Sequence, residues 1–220
     1  LNAYELVVFD WDGTLMDSTP GIVNAIQAAS QDMGFEVPDE RQAAWVIGLS
    51  LDRALDHLVP GMSEADRTRY LARYRHHYLQ QSSEPTLFEG VQVLLDDLSD
   101  QGVHLAVATG KSRVGLNQVL ARTGLSRYFA ATRCADETEG KPQPRMLLEI
   151  MSEIGSPCGS VVMVGDTSHD LLMAANAGVH GLGVTYGAHV VDELRAHPHV
   201  DVKNSVADVH QWLLPRIRGL

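Results

Sequence analysis

The chain has 220 residues, 45% of them hydrophobic, and carries 17 Lys and Arg against 28 Asp and Glu, a formal charge of −11. These values suit a globular protein of one or two domains and exclude a disordered one. The acidic balance disfavours nucleic acid and anionic membrane, and no apolar run reaches the roughly 20 residues of a bilayer span. Cys134 and Cys158 cannot build a disulfide framework. With an N-terminus that lacks the basic start and unbroken apolar run of a secretion signal, they point to a reducing cytoplasm.

Residues 6–14 read Leu-Val-Val-Phe-Asp-Trp-Asp-Gly-Thr. An apolar run of this kind is the pattern of a buried parallel strand. It delivers Asp10 and Asp12 together to the strand's carboxyl end, where open α/β sheets place their ligands. Two like charges placed side by side in a protein interior call for a cation, chemistry, or both.

Residues 19–83 then break the strand rhythm and read as helical throughout. The helices are Pro20–Met33, Glu40–Ile47, Leu51–Val59 and Glu64–Gln81, the last opening on a Ser63/Asp66 pair that resembles a capping box. About sixty residues of helix exceed an ordinary crossover. The expectation is an inserted helical cap over 19–83, hinged near Asp17–Pro20 and Ser82–Glu89, on a core formed by 1–18 and 84–220. Extra helices packed on the core are the alternative.

Beyond the insert, apolar runs His104–Thr109, Val161–Gly165 and Gly181–Thr185 alternate with helical patterns at Gly90–Ser99, Ser112–Arg122, Pro142–Ile154 and Ser168–Asn176. A last helix covers Val206–Leu214 behind Ser205. Strand and helix in alternation predict an α/β fold, a doubly wound parallel sheet covered on both faces.

The strand ends then deliver a complementary set: Asp10, Asp12 and Thr14; Thr109, Gly110 and Lys111; Lys141 before a prolyl helix start; and Asp166 with Asp170. Carboxylates suit a hard cation, hydroxyl and amide groups suit anionic oxygens, and lysine offsets residual charge. Magnesium fits this donor set better than zinc, since no cysteine belongs to it and His169 is its one imidazole. His169 reads as an exposed residue of a first helical turn, and Lys111 as a solvated lysine before a helix start.

Taken together and in this order, the motifs resemble the haloacid dehalogenase-like superfamily, in its capped phosphatase branch, with a look similar to phosphoglycolate phosphatases. Asp10-Trp11-Asp12-Gly13-Thr14-Leu15 matches the first motif, Thr109 the second, Lys141 the third, and Asp166 with Asp170 the fourth. The resemblance implies that Asp10 attacks phosphorus to give an aspartyl-phosphate, while Asp12 serves as general acid and then base. It also implies that Mg²⁺ is held by Asp10, Asp166 and the main-chain carbonyl of Asp12, with Asp170 supporting it indirectly. Thr109 and the Gly110 amide would bind phosphoryl oxygens, and Lys141 would orient Asp10. The expected partner is a small phosphorylated metabolite.

Two departures stand out: Trp11 replaces a more frequent aliphatic residue, and Gly110 stands where many relatives have asparagine. Asp12 argues against dehalogenation, and the absence of lysine from residues 19–83 argues against Schiff-base phosphonate cleavage. A sugar-phosphate phosphomutase is the alternative enzyme, disfavoured because Leu51 rather than a basic residue follows Ser50. A non-catalytic phosphate binder is the remaining alternative. In the insert, Gly48-Leu49-Ser50 is expected to face the core site, Arg53 to face solvent, with contact to a substrate carboxylate as its alternative, and Arg67, Arg69, Arg73 and Arg75 to line a polar helix face.

Overall fold

The computed structural model describes residues 4–80 and 85–217. Six parallel strands form one sheet: β1 (Leu6–Phe9), β2 (His104–Thr109), β3 (Phe129–Cys134), β4 (Val161–Gly165), β5 (His180–Val184) and β6 (Asp201–Lys203), in spatial order β3-β2-β1-β4-β5-β6. The chain therefore runs outward from β1 to β3, then returns across the sheet to β4. That reversal puts a topological switch point at β1, between the carboxyl ends of β2 and β4, the place where such sheets bind ligands.

Side chains alternate across the sheet, and both faces are apolar. Val7, Phe9, Val107, Val162 and Val164 pack on one side against Leu94 and Leu98 of α5 (Val91–Asp100), Leu116 of α6 (Arg113–Thr123) and Val209 of α10 (Val206–Leu213). Leu6, Val8, Ala106, Ala108 and Met163 pack on the other against Met146 and Ile150 of α7 (Arg145–Ile154) and Met173 of α8 (Ser168–Ala177). This two-sided burial is why the strands read as unbroken apolar runs. A short α9 (Val191–Arg195) follows β5.

Several helix starts differ from the sequence expectation. Helix α7 begins at Arg145 rather than Pro142, because residues 141–144 form turns in which the Gln143 amide donates to the Gly140 carbonyl. Thr167, not Ser168, caps α8, exchanging hydrogen bonds with Asp170 in a capping box. Strand β3 is half-buried and β6 is only three residues long. Neither carries the continuous apolar run that marks the central strands.

The insert holds α1 (Thr19–Met33), α2 (Glu40–Trp45), α3 (Leu51–Leu58) and α4 (Glu64–Leu79). Ile22, Val23 and Ile26 of α1 pack with Ala43, Ala44 and Ala54 into a separate small core. Beside it the buried Tyr70 hydroxyl donates to the Ile26 carbonyl at 2.9 Å and lies 2.8 Å from the Ser30 hydroxyl. The Ser63 hydroxyl accepts from the Asp66 amide but donates to the Asp66 carboxylate, so the expected box closes through side chains. The first linker pairs with residues that follow the insert, the Asp17 amide reaching the Thr86 carbonyl at 2.9 Å and the Phe88 amide the Leu15 carbonyl at 3.0 Å. Part of the expected second hinge, residues 81–84, lies outside the described residues.

Candidate active site

The carboxyl ends of β2, β1 and β4 bring together residues more than 150 positions apart. Asp10 follows β1, Thr109 closes β2, and Asp166 follows β4. The three Asp side chains at 10, 166 and 170 are buried, and each offers an oxygen within 4.8 Å of the others. Lys141, fully buried on the turn before α7, ties two of them together: its Nζ lies 2.8 Å from Asp10 Oδ1 and 2.7 Å from Asp170 Oδ1.

Each acid is further aimed by local donors. Asp10 Oδ1 accepts from the Trp11 amide at 2.6 Å. Asp166 accepts from the Thr14 hydroxyl at 2.8 Å and the Ala188 amide at 2.7 Å. Asp170 Oδ2 accepts from the Thr167 amide and hydroxyl at 3.1 and 2.7 Å. Gly13, with φ at +76°, leaves no room for a side chain, since a Cβ there would overlap the Asp166 carboxylate.

One cation among three buried acids leaves negative charge uncompensated. Burial pushes the Asp10 carboxyl well above its ordinary range; Lys141 opposes the shift while the charges of Asp170 and Asp166 add to it. Burial, reinforced by the Asp170 charge, pushes Asp166 up to about 7. Burial also disfavours the Lys141 ammonium, but its two carboxylate partners outweigh this and raise it above an ordinary lysine. Asp10 Oδ2 is buried with no hydrogen-bond partner. An all-oxygen acidic cluster with more negative charge than Lys141 offsets fits a hard divalent cation. Asp170, expected to act indirectly, stands within reach as a third candidate ligand.

Asp12 points elsewhere. Its Oδ1 lies 2.9 Å from Lys111 Nζ and accepts from the Ser18 hydroxyl at 2.5 Å, so its carboxylate is not part of the three-acid group. Lys111 is accordingly not the solvated residue expected: its side chain is only 12% exposed. Thr109 is buried, and its Oγ1 accepts from the Lys111 amide at 3.2 Å. Trp11 turns away from the acids into the core, edge-on to Phe129.

The insert closes over this edge. Gly110 lies beneath the Gly48-Leu49-Ser50 loop, and a Cβ on it would sit 2.6 Å from the Gly48 carbonyl oxygen and 2.7 Å from that of Leu49. An asparagine here would collide with the loop, which gives the glycine a steric reason invisible in the sequence. Ser50 caps α3 and sits beside Gly140, and Arg53 is exposed as expected.

His169, expected in solvent, is buried instead. His169 and His189 both place Nε2 on the Trp45 carbonyl at the end of α2, at 2.8 and 3.0 Å, and the Trp45 ring packs against both imidazoles. Since His189 Nδ1 accepts from the Ser168 amide at 3.0 Å, its proton resides on Nε2. Burial lowers His169 to about 4, against the raising effect of the Trp45 hydrogen bond, and lowers His189 as well. Both rings are neutral near pH 7. Only the meeting of α2 with α8 and the β5–α9 loop reveals these contacts; no spacing in the sequence signals them.

Comparison with known proteins agrees with this geometry. The family model described as Haloacid dehalogenase-like hydrolase matches residues 7–184. The chain is 40% identical over 197 residues to the protein named Probable phosphatase IndB of Dickeya dadantii, covering 87% of this chain and 85% of that one. It is 31% identical over 208 residues to a phosphoglycolate phosphatase of Agrobacterium fabrum, covering 92% and 89%. The crystal structure of a predicted phosphatase from Clostridium acetobutylicum superposes with a TM-score of 0.85 at 27% identity, covering 97% of this chain and all of that one.

Proposed function

Since the chain belongs to the haloacid dehalogenase-like hydrolases and is a phosphatase of that family, a phosphoric monoester hydrolase, we propose that it cleaves a small phosphorylated metabolite by way of an aspartyl-phosphate on Asp10. The observation that carries this reading is the orphaned Asp10 Oδ2, held at the mouth of the sheet by Lys141 and the Trp11 amide. A carboxylate fixed at one oxygen keeps the other for attack on phosphorus. The Asp10–phosphorus bond forms as the ester oxygen departs, and Asp12 protonates that oxygen. Asp12 then takes a proton from the water that attacks phosphorus and releases Asp10 and inorganic phosphate.

Thr109 and the Gly110 amide are the proposed anchors for phosphoryl oxygens, and Lys141 orients Asp10 while offsetting negative charge. Asp10, Asp166, the Asp12 main-chain carbonyl and, by its position, Asp170 are the proposed holders of Mg²⁺. When bound, the ion supplies charge neutralisation for the phosphoryl group. Residues 19–83 are proposed as the cap and 1–18 with 84–220 as the core. The Gly48–Ser50 loop would then exclude bulk water during the first step.

Likeness to the Agrobacterium enzyme supports a proposed substrate of the phosphoglycolate kind. The test is a panel of phosphorylated metabolites compared by kcat/KM with Mg²⁺ and with EDTA. Activity that depends on Mg²⁺ and falls by about a thousandfold or more in Asp10→Asn supports the reading. An Asp10→Asn protein that still turns over removes it.

A further inference from the structure

Lys111 has no place in the reaction as proposed above, yet both its backbone and its side chain are held in the site. Its amide donates to Thr109 Oγ1 at 3.2 Å, and its carbonyl accepts from the Ala135 amide at 3.1 Å. The backbone is therefore pinned on both sides before the side chain begins. The ammonium meets Asp12 Oδ1 at 2.9 Å, lies 5.5 Å from the centre of the Tyr78 ring and interacts electrostatically with the Tyr78 side chain. Tyr78 belongs to α4 of the insert, whereas Lys111 and Asp12 belong to the sheet's edge. Ser18, at the entrance to the insert, spends its hydroxyl on the same Asp12 oxygen instead of capping α1.

We propose that Lys111 is a positioning residue for the Asp12 carboxylate, holding it with Ser18 in the orientation that activates the hydrolytic water, and that Tyr78 completes this arrangement when α4 closes over the site. The proposal rests on the aspartyl-phosphate reading and adds to it the residues that hold its acid–base group in place. The ammonium and the Ser18 hydroxyl fix the Asp12 carboxylate by one oxygen and leave the other to exchange the proton in either half-reaction. A leaving group that needs no proton isolates the second step, in which water attacks phosphorus, the phosphorus–Asp10 bond breaks and Asp12 takes the water's proton. Because Tyr78 arrives from the insert, that step is coupled to closure.

Burst kinetics with p-nitrophenyl phosphate and Mg²⁺ separates the steps, since p-nitrophenolate leaves without protonation. In Lys111→Met, a rapid release of about one equivalent of p-nitrophenol per chain, followed by turnover slowed about tenfold or more, is the expected result. Lys111→Arg should restore part of the turnover, and Tyr78→Phe should slow the same phase by a smaller factor. A Lys111→Met protein whose burst and steady rates fall equally, whose KM alone rises, or whose turnover is unchanged would overturn the proposal. Asp10→Asn in the Lys111 background is the separate control: steady turnover there would remove the covalent intermediate itself, whatever Lys111 does. Tyr78→Phe keeps the ring in place and so retains the fold should Lys111→Met fail to form it.

Discussion

The carboxyl edge of the sheet and the outer face of the insert carry similar residues to opposite ends. At the edge, Lys141 is entirely buried between Asp10 and Asp170, and each partner has a fixed neighbour of its own. On the insert, Arg67 reaches Asp56 at 2.5 Å and Asp52 at 3.5 Å, Arg69 pairs with Asp66, and Arg73 approaches Asp32 at 3.9 Å. Every one of those carboxylates is at least 31% exposed. Water can replace any partner on the insert, whereas at the edge nothing replaces a lost one. The same ion-pair chemistry is therefore costly to disturb in one place and cheap to disturb in the other.

Substitutions can break that contrast. Lys141→Met leaves Asp10 and Asp170 without their shared cation and should cost about 3–5 kcal/mol in denaturant unfolding, together with activity. An unchanged midpoint would mean that the edge is as solvated as the insert.

Gly110→Ala tests the seam between the two regions. The added methyl meets the Gly48 and Leu49 carbonyl oxygens and should hold the loop off the site, lowering kcat/KM about 10- to 100-fold. Thermal stability should change little, because the sheet's core is untouched. Full activity would show that the loop need not sit where it does.

A smaller effect concerns His169. Its buried ring resists protonation, so between pH 6.5 and about 4 the folded protein binds fewer protons there than the unfolded chain. Its contribution, on the order of 3 kcal/mol, is full above the unfolded value and is lost as the pH falls toward the folded one. Asp10 and Asp166, raised by burial, push in the opposite direction over acidic pH. The informative quantity is hence the difference between wild type and His169→Asn. Wild type should lose stability relative to the variant as the pH falls from 6.5 to 4, and parallel melting curves would contradict a buried neutral ring.

The smallest effect belongs to the insert: Arg67→Ala should shift the melting temperature by about 2 °C or less despite its several partners. A large loss would erase the distinction between the two regions.

How far these features were legible beforehand follows from what each one depends on. The strands β1, β2 and β4 are apolar on both faces because helices cover both, and such strands announce themselves as continuous runs ending in turns. Capping by Ser50, Ser63, Ser112 and Ser205 is equally local, a side chain satisfying an amide three residues on. Asp10, Lys141, Asp166 and Asp170 could be grouped because parallel strands deliver their ends to one edge. That inference needs the order of elements and not their coordinates. Strands β3 and β6 escaped because partial burial and short length weaken the same signal.

Local pattern by itself thus determined the fold class, the acids and lysine gathered at the sheet's edge, and the helices between β1 and β2, since periodicity, caps and strand ends are properties of neighbouring residues. Only the tertiary structure decided where Asp12 and Asp170 point, that Lys111 is buried beneath Tyr78, that Gly110 is a steric necessity, and that His169 and His189 meet at the Trp45 carbonyl. Each of these depends on how the insert packs against the sheet's edge. Whether a polar side chain meets water or a distant partner is a matter of the space around it, which residue spacing does not encode.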